Sequence, residues 1–210
     1  LTQGFDLGLN EGAISKKQYY RNYKSALDNR NTVSDALRKR VQAGKTVDLG
    51  PWAPGDPLPS GTEGCVVPQG AVAKKMEPTA IWPTSDHTKT TLNAAVDMSQ
   101  VAHTLNTYEE IASALKKGYY MRVEDVDGAF PILPLAPRVW KYMFVHWYDL
   151  ERPLEEQERP SKLYMHIFAD FGAAPSPGVW DKFFRCAKAM ARAAGVLSLP
   201  MPHYVDDNSL

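Results

Sequence analysis

From Thr32 to Lys45 the apolar residues Val33, Leu37 and Val41 recur at helical spacing and Gly44 supplies a stop, so a helix with one apolar stripe is predicted there. A second, stronger amphipathic pattern runs from Val179 to Ala194. It places Trp180, Phe183, Phe184, Ala187, Ala191 and Ala194 on one face and ends at Gly195. Between them, Thr107-Tyr108-Glu109-Glu110 has the form of a capping box, opening a helix with Ile111, Ala114 and Leu115 on one side and Gly118 as its end. Short apolar runs read as strands: Cys65–Val67 and Ala71–Ala73 around a turn at Pro68-Gln69-Gly70, then Tyr119–Val126, Tyr142–Trp147 and Leu163–Phe168. The last two flank a polar, Glu-rich stretch from Asp149 to Lys162 and are expected to form a hairpin with a long tip. Gly50 to Gly61 carries four prolines and three glycines and reads as a linker or extended crossing segment. The pattern is that of an α+β chain without internal repeats.

At 210 residues and 44% hydrophobic content, the chain can bury a core as one domain or two small subdomains. Net charge is zero, so the total carries no sign of a polyanionic partner. The distribution is uneven: between Ser15 and Lys45 nine Lys or Arg face two acids, Asp28 and Asp35. Such a block can meet a phosphate backbone or simply be a solvated helix face. Cys65 and Cys186 are too far apart for a metal motif, the five histidines do not cluster and are assigned no role, and no disulfide framework follows. No apolar run reaches the roughly 20 residues that span a bilayer, and Leu1–Asn10 lacks the features of a signal peptide. An intracellular protein, nuclear or cytoplasmic, is expected, with no membrane partner. The absence of an initial Met suggests a processed or excised piece.

Two acidic sites stand out. Asp125 closes a predicted strand in Glu124-Asp125-Val126-Asp127-Gly128-Ala129-Phe130, and Asp206-Asp207 follows another apolar stretch. Paired carboxylates at a hairpin turn suit Mg²⁺, which takes one or two carboxylates plus substrate phosphates. Two such ions, roughly 3.5–4 Å apart, can clamp the attacking and leaving oxygens of an in-line phosphoryl transfer. Either acid site alone is equally good turn chemistry.

The combination is more specific. Asp125-Val126-Asp127-Gly128-Ala129-Phe130, followed by Pro134-Leu135-Ala136-Pro137 and Lys141-Tyr142, resembles the first palm motif of reverse transcriptases of retroviruses and retrotransposons. Phe171-Gly172-Ala173-Ala174-Pro175-Ser176-Pro177-Gly178-Val179-Trp180 resembles the second, with Pro175 in place of a usually small residue, and Tyr204-Val205-Asp206-Asp207 resembles the third. All three stand in the family's order. Upstream, Gly70–Lys75 resembles its fingers strand, and Trp82–His87 with Leu92-Asn93 resembles the segment that follows. Gly4-Phe5 and Asn22–Leu27 are similar to the leader of large protist and algal retroelement polymerases.

The resemblance implies a palm, a small antiparallel sheet backed by helices, with a β-rich fingers part. It divides the chain into an arm, basic helix and linker (1–62), a fingers-like part (63–120) and a palm (121–210) with a hairpin insertion near 142–168, ending after the catalytic hairpin. It implies RNA-directed DNA synthesis from dNTPs on a primed RNA or DNA template, with two Mg²⁺ ions, or Mn²⁺ in their place. Asp125 and Asp206 would hold the metals and Asp207 would sit beside them. Phe130 would lie under the incoming sugar and favour dNTPs, Phe171 and Gly172 would line the nucleotide pocket, and Lys74 or Lys75 would reach the triphosphate. One departure is that the family's fingers Arg falls on Trp82, which can stack but cannot neutralise charge. The chain as given is expected to be incomplete and inactive alone. Two rivals remain: a repurposed retroelement fragment that binds nucleic acid or serves as a structural subunit, and another two-metal enzyme such as a nuclease.

Overall fold

The computed structural model describes residues 3–74, 77, 80–103, 106–114, 118, 123–126, 129–197, 201, 203–204 and 207–209. The short helix α1 (Lys24–Asp28) leads into α2 (Arg30–Gln42), which buries Val33 and Leu37 of the predicted stripe, leaves Val41 half-buried, and also buries Ser34. Gly44, at φ +67°, turns the chain out of α2 into strand β1 (Thr46–Pro51). β1 pairs antiparallel with β6 (Lys162–His166), whose other edge pairs antiparallel with β5 (Phe144–Trp147). The predicted long-tipped hairpin is therefore present, and β6 is the central strand of the three-stranded sheet.

β1 falls where the sequence suggested the start of a linker. Its register shifts between Asp48 and Gly50, and it lies at the sheet edge, where Pro51 owes no hydrogen bond to a further strand. The sheet packs on α1 and α2 through Ala26, Val33, Leu37, Val145, Trp147, Tyr148 and Tyr164. Within this layer the buried Trp147 indole N–H donates to Ser34 Oγ at 2.8 Å.

A second difference concerns Cys65–Val67. These residues do not fold back on Ala71–Ala73. Val66 N donates to Gln18 O and Val67 N to Phe144 O, both at 2.7 Å, so their ladder groups are already used. Strand β2 (Gln69–Ala73) instead pairs antiparallel with β3 (Ile81–Ser85). A third small sheet has the order β4 (Val123–Asp125), β8 (Asp207–Ser209), β7 (His203–Tyr204), all antiparallel.

Helix α3 (Tyr108–Ala114) begins with the predicted capping box: Thr107 N donates to Glu110 Oε2 at 2.8 Å and Glu110 N to Thr107 Oγ1 at 3.2 Å. α4 (Pro137–Trp140) is a single turn. α5 (Ser176–Ala193) starts earlier than the apolar pattern suggested, because Pro177 is tolerated in a helix's first turn. Its first turns are buried through Gly178, Val179 and Trp180, and its later half is largely exposed, with Met190 73% accessible. The main core gathers Leu7, Leu9, Leu92, Leu133, Leu135, Val139, Met143 and Trp180, so the N-terminal stretch is part of the packed interior. Among the described residues no helix is long and apolar enough to cross a membrane.

Candidate functional site

Four of the residues singled out from the sequence meet in space. The β2–β3 pairing sets Trp82 opposite Val72 and leaves it 47% exposed. Its ring lies 5.3 Å from that of Phe171, tilted by 30°. Phe171 in turn lies 5.5 Å from the ring of Phe130, which opens the short 3-10 helix Phe130–Ile132. Lys74 Nζ sits 5.3 Å over the Trp82 ring and 3.9 Å from the Glu77 carboxylate. Lys74, Trp82, Phe171 and Phe130 thus form one continuous line from an ammonium group to a half-buried ring. Lys75 lies outside the described residues.

The Phe171–Gly172 segment is held closely. Gly172 has φ +112°, and a Cβ there would lie 2.0 Å from Ser85 O, so only glycine fits. Ser85 N donates to Phe171 O at 3.2 Å. Asn93 Nδ2 donates to Gly172 O at 2.9 Å, and Asn93 Oδ1 accepts from Ala174 N at 2.8 Å. The Trp82–His87 and Leu92-Asn93 segments, noted separately from the second motif in sequence, are therefore what that motif rests on.

Behind this segment lies a buried polar cluster that sequence reasoning missed. Asp170 accepts from His87 Nε2 at 2.9 and 3.1 Å through its two oxygens, and both residues are almost fully buried. Arg40 Nη2 donates to the carbonyls of Phe168 and Ala169 at 3.1 and 3.3 Å, and Thr46 Oγ1 is 2.7 Å from His166 Nδ1. Burial pushes His166 down to about 3, with Arg40 adding to the effect. Burial opposes the charge on Asp170, but His87, His166 and Arg40 outweigh it and hold the carboxyl well below its usual range. The contributing residues come from four separate stretches, so no local spacing reveals them. A cavity of about 580 Å³ opens beside this cluster, lined by Lys39, Arg40, Lys45, Trp82, His166 and Phe171. A larger one, about 940 Å³, lies against Tyr19, Trp52, His146 and Tyr148; Arg21 and Lys24 of the basic block line it, but none of the residues assigned to metal or nucleotide does.

The acidic motifs meet at the backbone level. Asp125, the last residue of β4, is the register partner of Asp207, the first of β8, and Tyr204 of β7 is Asp207's partner on the other edge. The return strand β8 begins at Asp207 and pairs on both sides. Asp206 lies outside the described residues. Among the described residues no group of three or more His, Cys, Asp or Glu side chains is placed to hold a metal ion.

No protein-family model matches the sequence, and no curated protein does. Among solved structures, the chain is similar to the crystal structure of the native prototype foamy virus protease-reverse transcriptase, at TM-score 0.56 and 14% identity. The similarity covers 92% of this chain and 21% of that one, so the chain spans about a fifth of the foamy virus protein. At this identity the likeness is one of fold: a mixed α/β chain with small antiparallel sheets, of reverse-transcriptase-like architecture.

Proposed function

We propose that the chain is the fingers and palm part of a template-directed DNA polymerase of the reverse-transcriptase kind. The observation that carries this reading is the register of β4 against β8, which brings the Asp125 and Asp207 segments of two distant motifs side by side. In this reading Asp125 and Asp206 hold two Mg²⁺ ions, with Asp207 adjacent. When bound, the ions supply charge neutralisation at the oxygens exchanged during phosphoryl transfer. The chain's own residues position the nucleotide. Trp82 and Phe171 offer ring faces, Phe130 lies under the incoming sugar, Gly172 allows close backbone approach, and Lys74 or Lys75 reaches the triphosphate. The primer–template is gripped through its backbone, the basic block of 15–45 contributing. The fingers-like part is residues 63–120, preceded by the 1–62 arm, and the palm is 121–210 with the β5–β6 hairpin inserted.

The test is dNTP binding by the purified chain, followed through tryptophan fluorescence, with and without Mg²⁺. Affinity that depends on Mg²⁺ and drops in Asp125→Asn and Asp206→Asn is expected. Binding indifferent to both metal and these substitutions would overturn the reading, and nucleic-acid binding without dNTP binding would favour a non-catalytic role.

A further inference from the structure

We infer that the buried Asp170–His87 pair is a positioning device that fixes the Phe171–Gly172 segment against β3, and so sets the shape of the proposed nucleotide pocket. The inference rests on the nucleotide reading for its purpose but not for its geometry.

The segment is tied at three levels. Its backbone before Asp170 is held by Arg40, which donates to the Phe168 and Ala169 carbonyls. Its backbone after Asp170 is held by Ser85 and Asn93. Between these, the Asp170 side chain grips His87, two residues beyond Ser85 and in the turn that also presents Asn93. His87 O also accepts from Thr90 Oγ1 and from Asn93 N, so the loop that carries the imidazole is itself braced. A charge buried to this degree is costly, and an apolar pair of similar shape would stabilise the core as well or better. What an apolar pair lacks is direction. The carboxylate accepts a hydrogen bond along a defined line, so it sets the orientation of the Asp170 backbone and of the Phe171 ring that follows. His87 Nδ1 is buried without a partner, which leaves Nε2 as the ring nitrogen that carries the proton to Asp170.

Two amide replacements separate reach from chemistry. In His87→Gln the side-chain nitrogen falls close to the place of Nε2 and can still donate to Asp170. In His87→Asn it stops near the place of Nδ1 and cannot. Hydrogen exchange at the Ser85 and Ala174 amides reads the segment's attachment directly and needs no ligand. His87→Asn is expected to speed exchange at both amides about tenfold, the scale of one lost hydrogen bond, and to weaken Mg²⁺-dependent dNTP binding by a similar factor. His87→Gln is expected to stay near wild type in both. Ser34→Ala, which removes the Trp147 bond in the other sheet's core, is the control: it lowers global stability and leaves these two amides unchanged at temperatures well below unfolding.

Equal behaviour of Gln and Asn, or equal acceleration by Ser34→Ala, would overturn the inference. So would unchanged dNTP affinity in His87→Asn when the wild type binds. If the wild type binds no dNTP, the proposed function fails, while the exchange comparison still decides whether the pair holds the segment.

Discussion

At the scale of single residues, the ring of Phe130 does two things at once. It leans on Phe171 at 5.5 Å and packs against the main core from a half-buried position. Phe130→Val keeps an apolar residue but withdraws the part of the ring that would stand beneath a sugar. The ratio of rNTP to dNTP affinity should rise, and the folded state should lose about 1–3 kcal/mol through the cavity left behind. Competition binding and urea denaturation measure the two separately. His166 gives a prediction about pH. The folded chain keeps it neutral down to about 3, whereas an unfolded chain would protonate it near 6.5. Its contribution to stability is complete above pH 6.5 and is lost as the pH falls toward 3, because the unfolded state then binds the extra proton. His146, also depressed by burial, adds to the same decline. His166→Gln, which cannot titrate, should reduce the fall in urea midpoint between pH 6.5 and 3, leaving the portions due to His146 and, at the acid end, to carboxyls held low in the fold such as Asp170.

At the scale of elements, helix α5 depends on a close approach. A Cβ on Gly178 would lie 1.7 Å from Val101 O, so the helix's first turn is pressed against that backbone. Alanine is normally the better helix former by about 1 kcal/mol. Gly178→Ala should nevertheless destabilise by about 1–3 kcal/mol, as overpacking does, with a lower denaturation midpoint and an unchanged slope as the readout. Elements whose signal is local were legible in the sequence. The Val33–Leu37–Val41 stripe, the Thr107–Glu110 box and the β5–β6 hairpin each follow from spacing within one stretch. Those set by distant partners were not. β1 exists because β6 offers it an edge, which Gly50 and Pro51 gave no reason to expect. Cys65–Val67 is claimed by Gln18 and Phe144, which left β2 to find β3. The same holds at the site. Phe171, Gly172 and Phe130 could be named from their motifs, but the Asp170–His87 pair beneath them joins residues with no local relation.

At the scale of the molecule, separate stretches share interiors. Leu7, Leu9 and Ile14 pack with Leu92, Leu135 and Trp180, so the first residues help to build the main core. Gly4, at φ +71°, sits where a Cβ would meet the Leu135 carbonyl at 2.5 Å, and Phe5 exchanges backbone bonds with Pro134 and Ala136. The basic block of 15–45 is likewise divided. Arg40 turns inward to the Phe168 and Ala169 carbonyls, while Arg38 pairs with Asp35 and the Leu150 carbonyl. What remains for an outside partner is smaller than the count of cations suggests.

The central place of β8 carries a consequence for the order of events during folding. Its partner β7 is a few residues away, but its partner β4 is about eighty residues back along the chain. Closing a loop of that length costs entropy that the short β4–β8 ladder does little to offset. The cost falls once the intervening β5–β6 hairpin and α5 have collapsed and drawn the two ends together. The strands bearing Asp125 and Asp207 are thus expected to come into register late, after the scaffold around them has formed.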